Sequence, residues 1–178
     1  MNENTEIKGW ILSGQSPQKY RLYMDEKIFN TATKSACLKS IEEECDLSDF
    51  ATIMQQFNAK NFLKKRVRLS GFIKAQDVTG WCGLWVRIDD VYNNVLKFDN
   101  MQFRPITGTT EWNHYSCVVD TPENSHVISI GMLLSGKGQV WLDNVSFQEV
   151  DLNTKTTDQT SDVYYPDYPV NLTFEEGI

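Results

Sequence analysis

The chain has 178 residues, enough for one domain with a substantial core, and its 40% hydrophobic and 23% charged residues are ordinary for a globular protein. A net charge of −7 opposes a phosphate backbone, so no direct nucleic-acid partner is expected. The one dense basic run, KKRVR at 64–68, alternates in its second half and reads as a solvated turn leading into a strand.

The polar start, MNENTEIKGW, has no basic stretch followed by an apolar one, and no apolar run approaches the roughly 18 residues of a membrane span. The expectation is a cytoplasmic chain with no membrane partner. Strand signals then dominate. KSACLKSI, FATIMQQFNA, RVRLSGFIKA, GLWVRIDD, NVLKFDNM, HYSCVVDTP, HVISIGMLL and GQVWLDNVSFQEV follow one another, separated by Gly, Pro, Asn and Asp. Their spacing is near the roughly 8–12 residues of an all-β sandwich. No segment sustains a 3.6-residue period. After KSACLKSI an acidic loop is expected, with Asp46 or Ser48 starting the next element, and NAKNFLKKR reads as a single helical turn. RPITGTT reads as a loop and SGKG as a hairpin turn between strands.

Alternation assigns faces. Val67, Leu69, Gly71 and Ile73 share one face, with Arg68, Ser70, Phe72 and Lys74 on the other. Leu84, Val86 and Ile88 likewise oppose Trp85, Arg87 and Asp89. Trp81, just after Gly80, is expected to cap the core, and Trp85 to be the tryptophan on display. The four cysteines, Cys37, Cys45, Cys82 and Cys117, match no zinc spacing and read as buried free thiols. The sequons at Asn144 and Asn171 carry no meaning for a cytoplasmic chain. Neither His114 nor His126 has a nucleophile at a motif spacing, and RLSGF and LLSGKG are not nucleophile elbows. After Val150, DLNTKTTDQTSD reads as a linker or mobile loop, and VNLTFEE as one more strand. The expected organisation is a β-sandwich over 1–150, then a linker and a strand over 151–178 that docks back.

Taken together, GWILSGQSPQKYRLYMD, RVRLSGFIKAQDVTGWCGLWVRIDD, LKFDNMQFRPITGTTEWNHYSCVVD, GMLLSGKGQVWLDNVSFQEVD and PVNLTFEE resemble a bacterial family of β-sandwich domains. Its members occur alone and in chains described as AraC-type transcriptional regulators. The resemblance spans residues 9–178. It implies a jelly roll of the galactose-binding or carbohydrate-binding-module type. It also implies that NLTFEE, which opens such domains but closes this chain, supplies a strand within its own chain or across a strand-exchanged homodimer. A structural calcium is implied as well, on Asp143 with Glu175 or Glu176, and Asp25 as a third carboxylate.

Sugar recognition sets a flat aromatic ring against a pyranose face and polar side chains against its hydroxyls. Trp85, Phe72, Arg87, Arg68, Gln56 and Arg104 form a candidate set on one sheet for a carbohydrate or similar polar ligand. Two other readings stand beside it. The aromatics are covered by YYPDYP and the arginines pair with carboxylates, or the face meets a protein partner in a regulatory, sugar-free role. A hydrolase ranks below these, since no carboxylate pair is singled out.

Overall fold

A computed structural model describes residues 4–41, 45–159, 168–169 and 171–172. Nine strands follow in order: β1 (Ile11–Gly14), β2 (Tyr20–Asp25), β3 (Ser35–Ser40), β4 (Phe50–Asn58), β5 (Arg66–Asp89), β6 (Val95–Asp99), β7 (Ile106–Asp120), β8 (Val127–Ser135) and β9 (Gln139–Glu149). Two single 3-10 turns, Pro17–Lys19 and Ala59–Asn61, interrupt them. The second is the helical turn expected from NAKNFLKKR, capped by the Asn58 side chain on the Lys60 N–H.

The longest strand organises the rest. β5 runs for 24 residues and serves two layers. From Val67 to Gln76 it pairs antiparallel with β9 on one side and, from Arg66 as far as Ile73, in close register with β7 on the other. From Trp81 to Asp89 it pairs with β8, and its last four residues also pair with β6. The result is β2-β3-β9-β5-β7 facing β1-β4-β8-β5-β6, a jelly-roll sandwich in which one strand belongs to both sheets.

RVRLSGFIKA and GLWVRIDD read as separate strands in the sequence. They are one, because QDVTG between them stays extended and absorbs its irregularity in register shifts between Ile73 and Cys82. Those shifts change the inward phase. Val67, Leu69, Ile73 and Ala75 point into the core at odd positions, then Val78, Cys82, Leu84, Val86 and Ile88 at even ones. Asp77, at the switch, has a φ of 54°. The two sheets close on Leu22, Leu38, Ile53, Ile128, Ile130, Met132, Leu134, Val140 and Leu142. All four cysteines are buried and free, and burial pushes the Cys82 thiol up to about 12. It is therefore an inert core side chain rather than a nucleophile.

β1 and β2 escaped the strand signals, being short and mixed in polarity. β7 starts at Ile106, so most of the expected RPITGTT loop is strand. The segment expected to be a free linker is pinned as far as Gln159. Arg66 Nη1 donates to the Leu152 and Thr154 carbonyls, the Thr157 N–H donates to the Val118 carbonyl, and the Gln159 N–H to the Phe98 carbonyl. Lys97 pairs with Asp158 at 3.0 Å. The strand expected from VNLTFEE falls, but for Asn171 and Leu172, outside the described residues.

Two polar buckles lock the sandwich. Asp99 is 0% exposed and takes both terminal nitrogens of Arg104, at 2.9 and 2.6 Å, with the Thr157 hydroxyl on the same carboxylate. Burial raises this carboxyl, but the Arg104, Thr157 and Met101 hydrogen bonds outweigh it and hold it below its ordinary value. At the other end Asp49 receives Lys19 Nζ at 2.8 Å and the Ser16 hydroxyl at 2.6 Å. These lower its carboxyl to about 2, Lys19 contributing most.

Removing Arg104 by Arg104→Ala leaves a buried carboxylate uncompensated. It is expected to destabilise the fold by about 3 kcal/mol, read as a lower Tm. The Asp49 carboxyl is depressed in the folded state relative to about 3.9 unfolded. Its contribution is therefore complete above pH 4 and lost as pH falls from about 4 towards 2. Acid unfolding monitored by circular dichroism should steepen in that window, and Asp49→Asn should flatten it.

Candidate functional site

Behind the core, the β1-β4-β8-β5-β6 sheet turns its second face to a cleft of about 580 Å³. Strand register builds that face in cross-strand rows. Phe50, Ser135 and Trp81 form the first; Ser13, Thr52, Leu133 and Gly83 the second; Ile11, Met54, Gly131 and Trp85 the third; Gln56, Ser129, Arg87 and Phe98 the fourth. Rows two residues apart in a strand lie about 6.7 Å apart, so Trp81 and Arg87 stand roughly 20 Å from one another along the cleft.

The tryptophans answer for both the shape and the floor. Trp81 and Trp85 differ by four positions, so in an unbroken strand they share a face, and both line the cleft. Trp81 therefore does not cap the core. Trp85 is the less accessible of the two, at 9%. Its indole crosses β8 at Gly131 and its Nε1 donates to the Thr52 hydroxyl on β4 at 2.7 Å. A Cβ at Gly131 would stand 2.7 Å from that Nε1 and 2.4 Å from the Ile53 carbonyl oxygen, so only glycine leaves room for the ring. Trp81 is half-buried and is the ring presented to the cleft.

Polar groups gather at the fourth row. Gln56 is exposed and donates through Nε2 to the Ser129 hydroxyl at 2.9 Å, which leaves its carbonyl oxygen as an acceptor. Arg87 Nε donates to Asp89 Oδ2 at 2.9 Å. Its two terminal nitrogens have no hydrogen-bond partner among the described residues. A second recess, of about 380 Å³, opens beyond this row between Asn58, Asp89, Asn93 and Val127, and Gln56 and Arg87 line both cavities.

Of the six residues expected to act together, the structure brings together Trp85, Arg87 and Gln56. It separates the other three. Phe72 and Arg68 lie on the first half of β5, in the opposite sheet, where Phe72 packs edge-on against His114 at 5.0 Å. The phase change in β5 is the reason, since residues before and after it look out of different sheets. Arg104 is the structural partner of Asp99 and also donates to the Ser116 carbonyl. Phe98, Asn100 and Met54 line the cleft without being singled out in the sequence, and Trp81 lines it instead of capping the core. Residue parity along β5 carried the signal for Trp81, and alternation along FATIMQQF the signal for Met54.

The carboxylates expected to hold calcium do other work. Asp143 accepts the N–H groups of Asn30 and Thr31 at 2.8 Å each, and that of Asn144. Asp25 accepts the N–H groups of Lys27 and Ile28 and the Trp141 indole N–H. Both fasten the 26–34 loop. Among the described residues no group of three or more His, Cys, Asp or Glu side chains converges on a metal position. Glu175 and Glu176 lie outside the described residues. No described helix is long and apolar enough to cross a membrane.

No protein-family model matches the chain. It is 49% identical over 173 residues to the uncharacterized HTH-type transcriptional regulator YbfP of Bacillus subtilis (strain 168), covering 97% of this chain and 58% of the regulator. The chain thus spans little more than half of that relative. Among solved structures it resembles the enzymatically active domain of bacteriophage CBA120 tailspike protein 4, with a TM-score of 0.59 and 17% identity over 82% of this chain and 20% of that one. It also resembles the CBM22-1 xylan-binding domain of Paenibacillus barcinonensis Xyn10C, with a TM-score of 0.57 and 14% identity over 84% of this chain and 89% of that one. The fold is that of carbohydrate-binding jelly rolls, and the chain is similar in sequence to a relative named as a transcriptional regulator.

Gly131→Ala should push the Trp85 indole off β8 and break its bond to Thr52. A loss of about 2 kcal/mol in stability and an altered tryptophan emission spectrum are the expected readouts.

Proposed function

We propose that the chain is a non-catalytic carbohydrate-binding module whose ligand lies in the cleft between Trp81 and Arg87. One observation carries the reading: a single groove joins a presented indole to polar groups with unused hydrogen-bonding capacity. An indole covers the apolar face of a sugar ring, and a guanidinium and an amide take its hydroxyls. The cleft is longer than one sugar ring, which favours an oligosaccharide over a monosaccharide. The xylan-binding domain with the same fold supports the carbohydrate reading.

The regulator-named relative gives the binding a purpose. A sugar-binding module beside a DNA-binding segment would serve as its effector sensor, which agrees with a cytoplasmic setting. The second reading, a protein-interaction module without a sugar ligand, rests on the same relative.

Titration of the chain with neutral xylo-, gluco- and galacto-oligosaccharides should change its tryptophan fluorescence. Trp81→Ala should weaken binding by about tenfold, equivalent to 1.4 kcal/mol, with little change in Tm. A chain silent to all three series that still captures the rest of the regulator-named relative, the part it does not match, would favour the interaction reading.

A further inference from the structure

Resting on the carbohydrate reading, we infer that the cleft selects neutral over acidic sugars, and that the Arg87–Asp89 pair sets this selection. Arg87 is bound side-on: its Nε faces Asp89 Oδ2 at 2.9 Å, and the side chains are 44% and 6% exposed respectively. That leaves the end-on fork of the two terminal nitrogens directed at a ligand. Such a fork accepts either a carboxylate or two neighbouring hydroxyl oxygens.

Charge decides between them. Arg87 is the one charged side chain lining the main cleft among the described residues. Its charge is already answered by Asp89. The second Asp89 oxygen, Oδ1, is buried with no hydrogen-bond donor among the described residues, where Arg87 is the cation paired with this carboxylate. A ligand carboxylate on the fork would lie roughly 6 Å from it across a single guanidinium, in a partly desolvated groove, and would compete for the same cation. Neutral hydroxyls make the same two hydrogen bonds without that repulsion. The recess beyond adds the amides of Asn58 and Asn93, which suit hydroxyls, and supplies no second cation. The net charge of −7 repels an anion at longer range as well.

The test is calorimetric titration of the full chain with neutral oligosaccharides and with counterparts bearing glucuronate or galacturonate units. The neutral member of a matched pair is expected to bind about tenfold more tightly. Asp89→Asn, which keeps an acceptor for Arg87 Nε, should reduce that preference to about parity. Raising salt should narrow the gap in the unaltered chain by improving uronate binding only. Equal or tighter uronate binding overturns the inference while leaving the carbohydrate reading intact. So does an unchanged preference in folded Asp89→Asn. Should that variant not fold, a preference indifferent to salt overturns it. Absence of binding by every oligosaccharide in both series overturns the carbohydrate reading, and this inference with it.

Discussion

The structure depends on the continuity of β5. A strand of 24 residues is far longer than the usual five or six, and it is shared by two sheets that must face each other across one core. A flat strand with unbroken alternation cannot do this. Its inward side chains would remain on one side while the chain crossed from one layer to the other. The register shifts between Ile73 and Cys82 solve the problem by moving the apolar phase from odd to even positions. Without that change Leu84, Val86 and Ile88 would face solvent, and Trp81, Trp85 and Arg87 would be forced inward. The same local irregularity therefore builds the core and decides which side chains reach the cleft.

The cleft then follows from what its rows can hold. A second face lined by Ile11, Met54, Leu133 and two tryptophans would be an unusually apolar surface if it were flat. Gly131 lets it be concave, because the Trp85 ring lies down across β8 instead of standing up from it. Thr52 takes the indole N–H, so the buried ring leaves no donor unpaired. The apolar rows are thus satisfied internally, and the hydrogen-bonding capacity left over is concentrated at Gln56 and Arg87. In the proposed module that asymmetry would orient a ligand along the groove, with ring faces at the Trp81 end and hydroxyls at the Arg87 end.

Much of this was legible in the sequence. Period-two alternation gave the all-β class, most strands and the face that carries Trp85 and Arg87, because these depend only on local parity. It does not show that Trp85 lies down against β8 and Thr52 and is buried, so that Trp81 and not Trp85 is the tryptophan on display. Phe72 and Arg68 were grouped with them wrongly, since parity does not reveal that β5 changes sheets between residues 73 and 82. Trp81 was assigned to the core although its separation from Trp85 is even. Treating QDVTG as a break hid the unbroken pairing of residues 81–89 with β8. Arg104 could not be classified from its surroundings in sequence, because the Asp99 that claims it is positioned by the turn at Met101, whose φ is 62°. Asp143 and Asp25 accept backbone N–H groups, a role the sequence alone does not separate from metal ligation. Carboxylates that accept backbone N–H groups and those that coordinate an ion have the same sequence signature.

The 151–159 strap explains how the cleft's outer wall keeps its shape. β6 pairs with β5 along one side only, and β7 has an edge beside it, so both present unpaired backbone groups. The strap takes up these groups in turn. The Thr157 N–H meets the Val118 carbonyl, the Val118 N–H meets the Thr157 hydroxyl, and the Gln159 N–H meets the Phe98 carbonyl. The Gln159 amide also holds Asn100 at 2.9 Å. Phe98 and Asn100 are the β6 side of the cleft. Polar Thr-rich sequence, which in isolation favours a flexible linker, is here ordered because the Thr157 and Gln159 N–H groups meet carbonyls that edge strands would otherwise leave to water. The wall facing Trp81 and Arg87 is held by the strap as well as by its own sheet, and the proposed discrimination between ligands that differ by a single charge needs such a fixed wall.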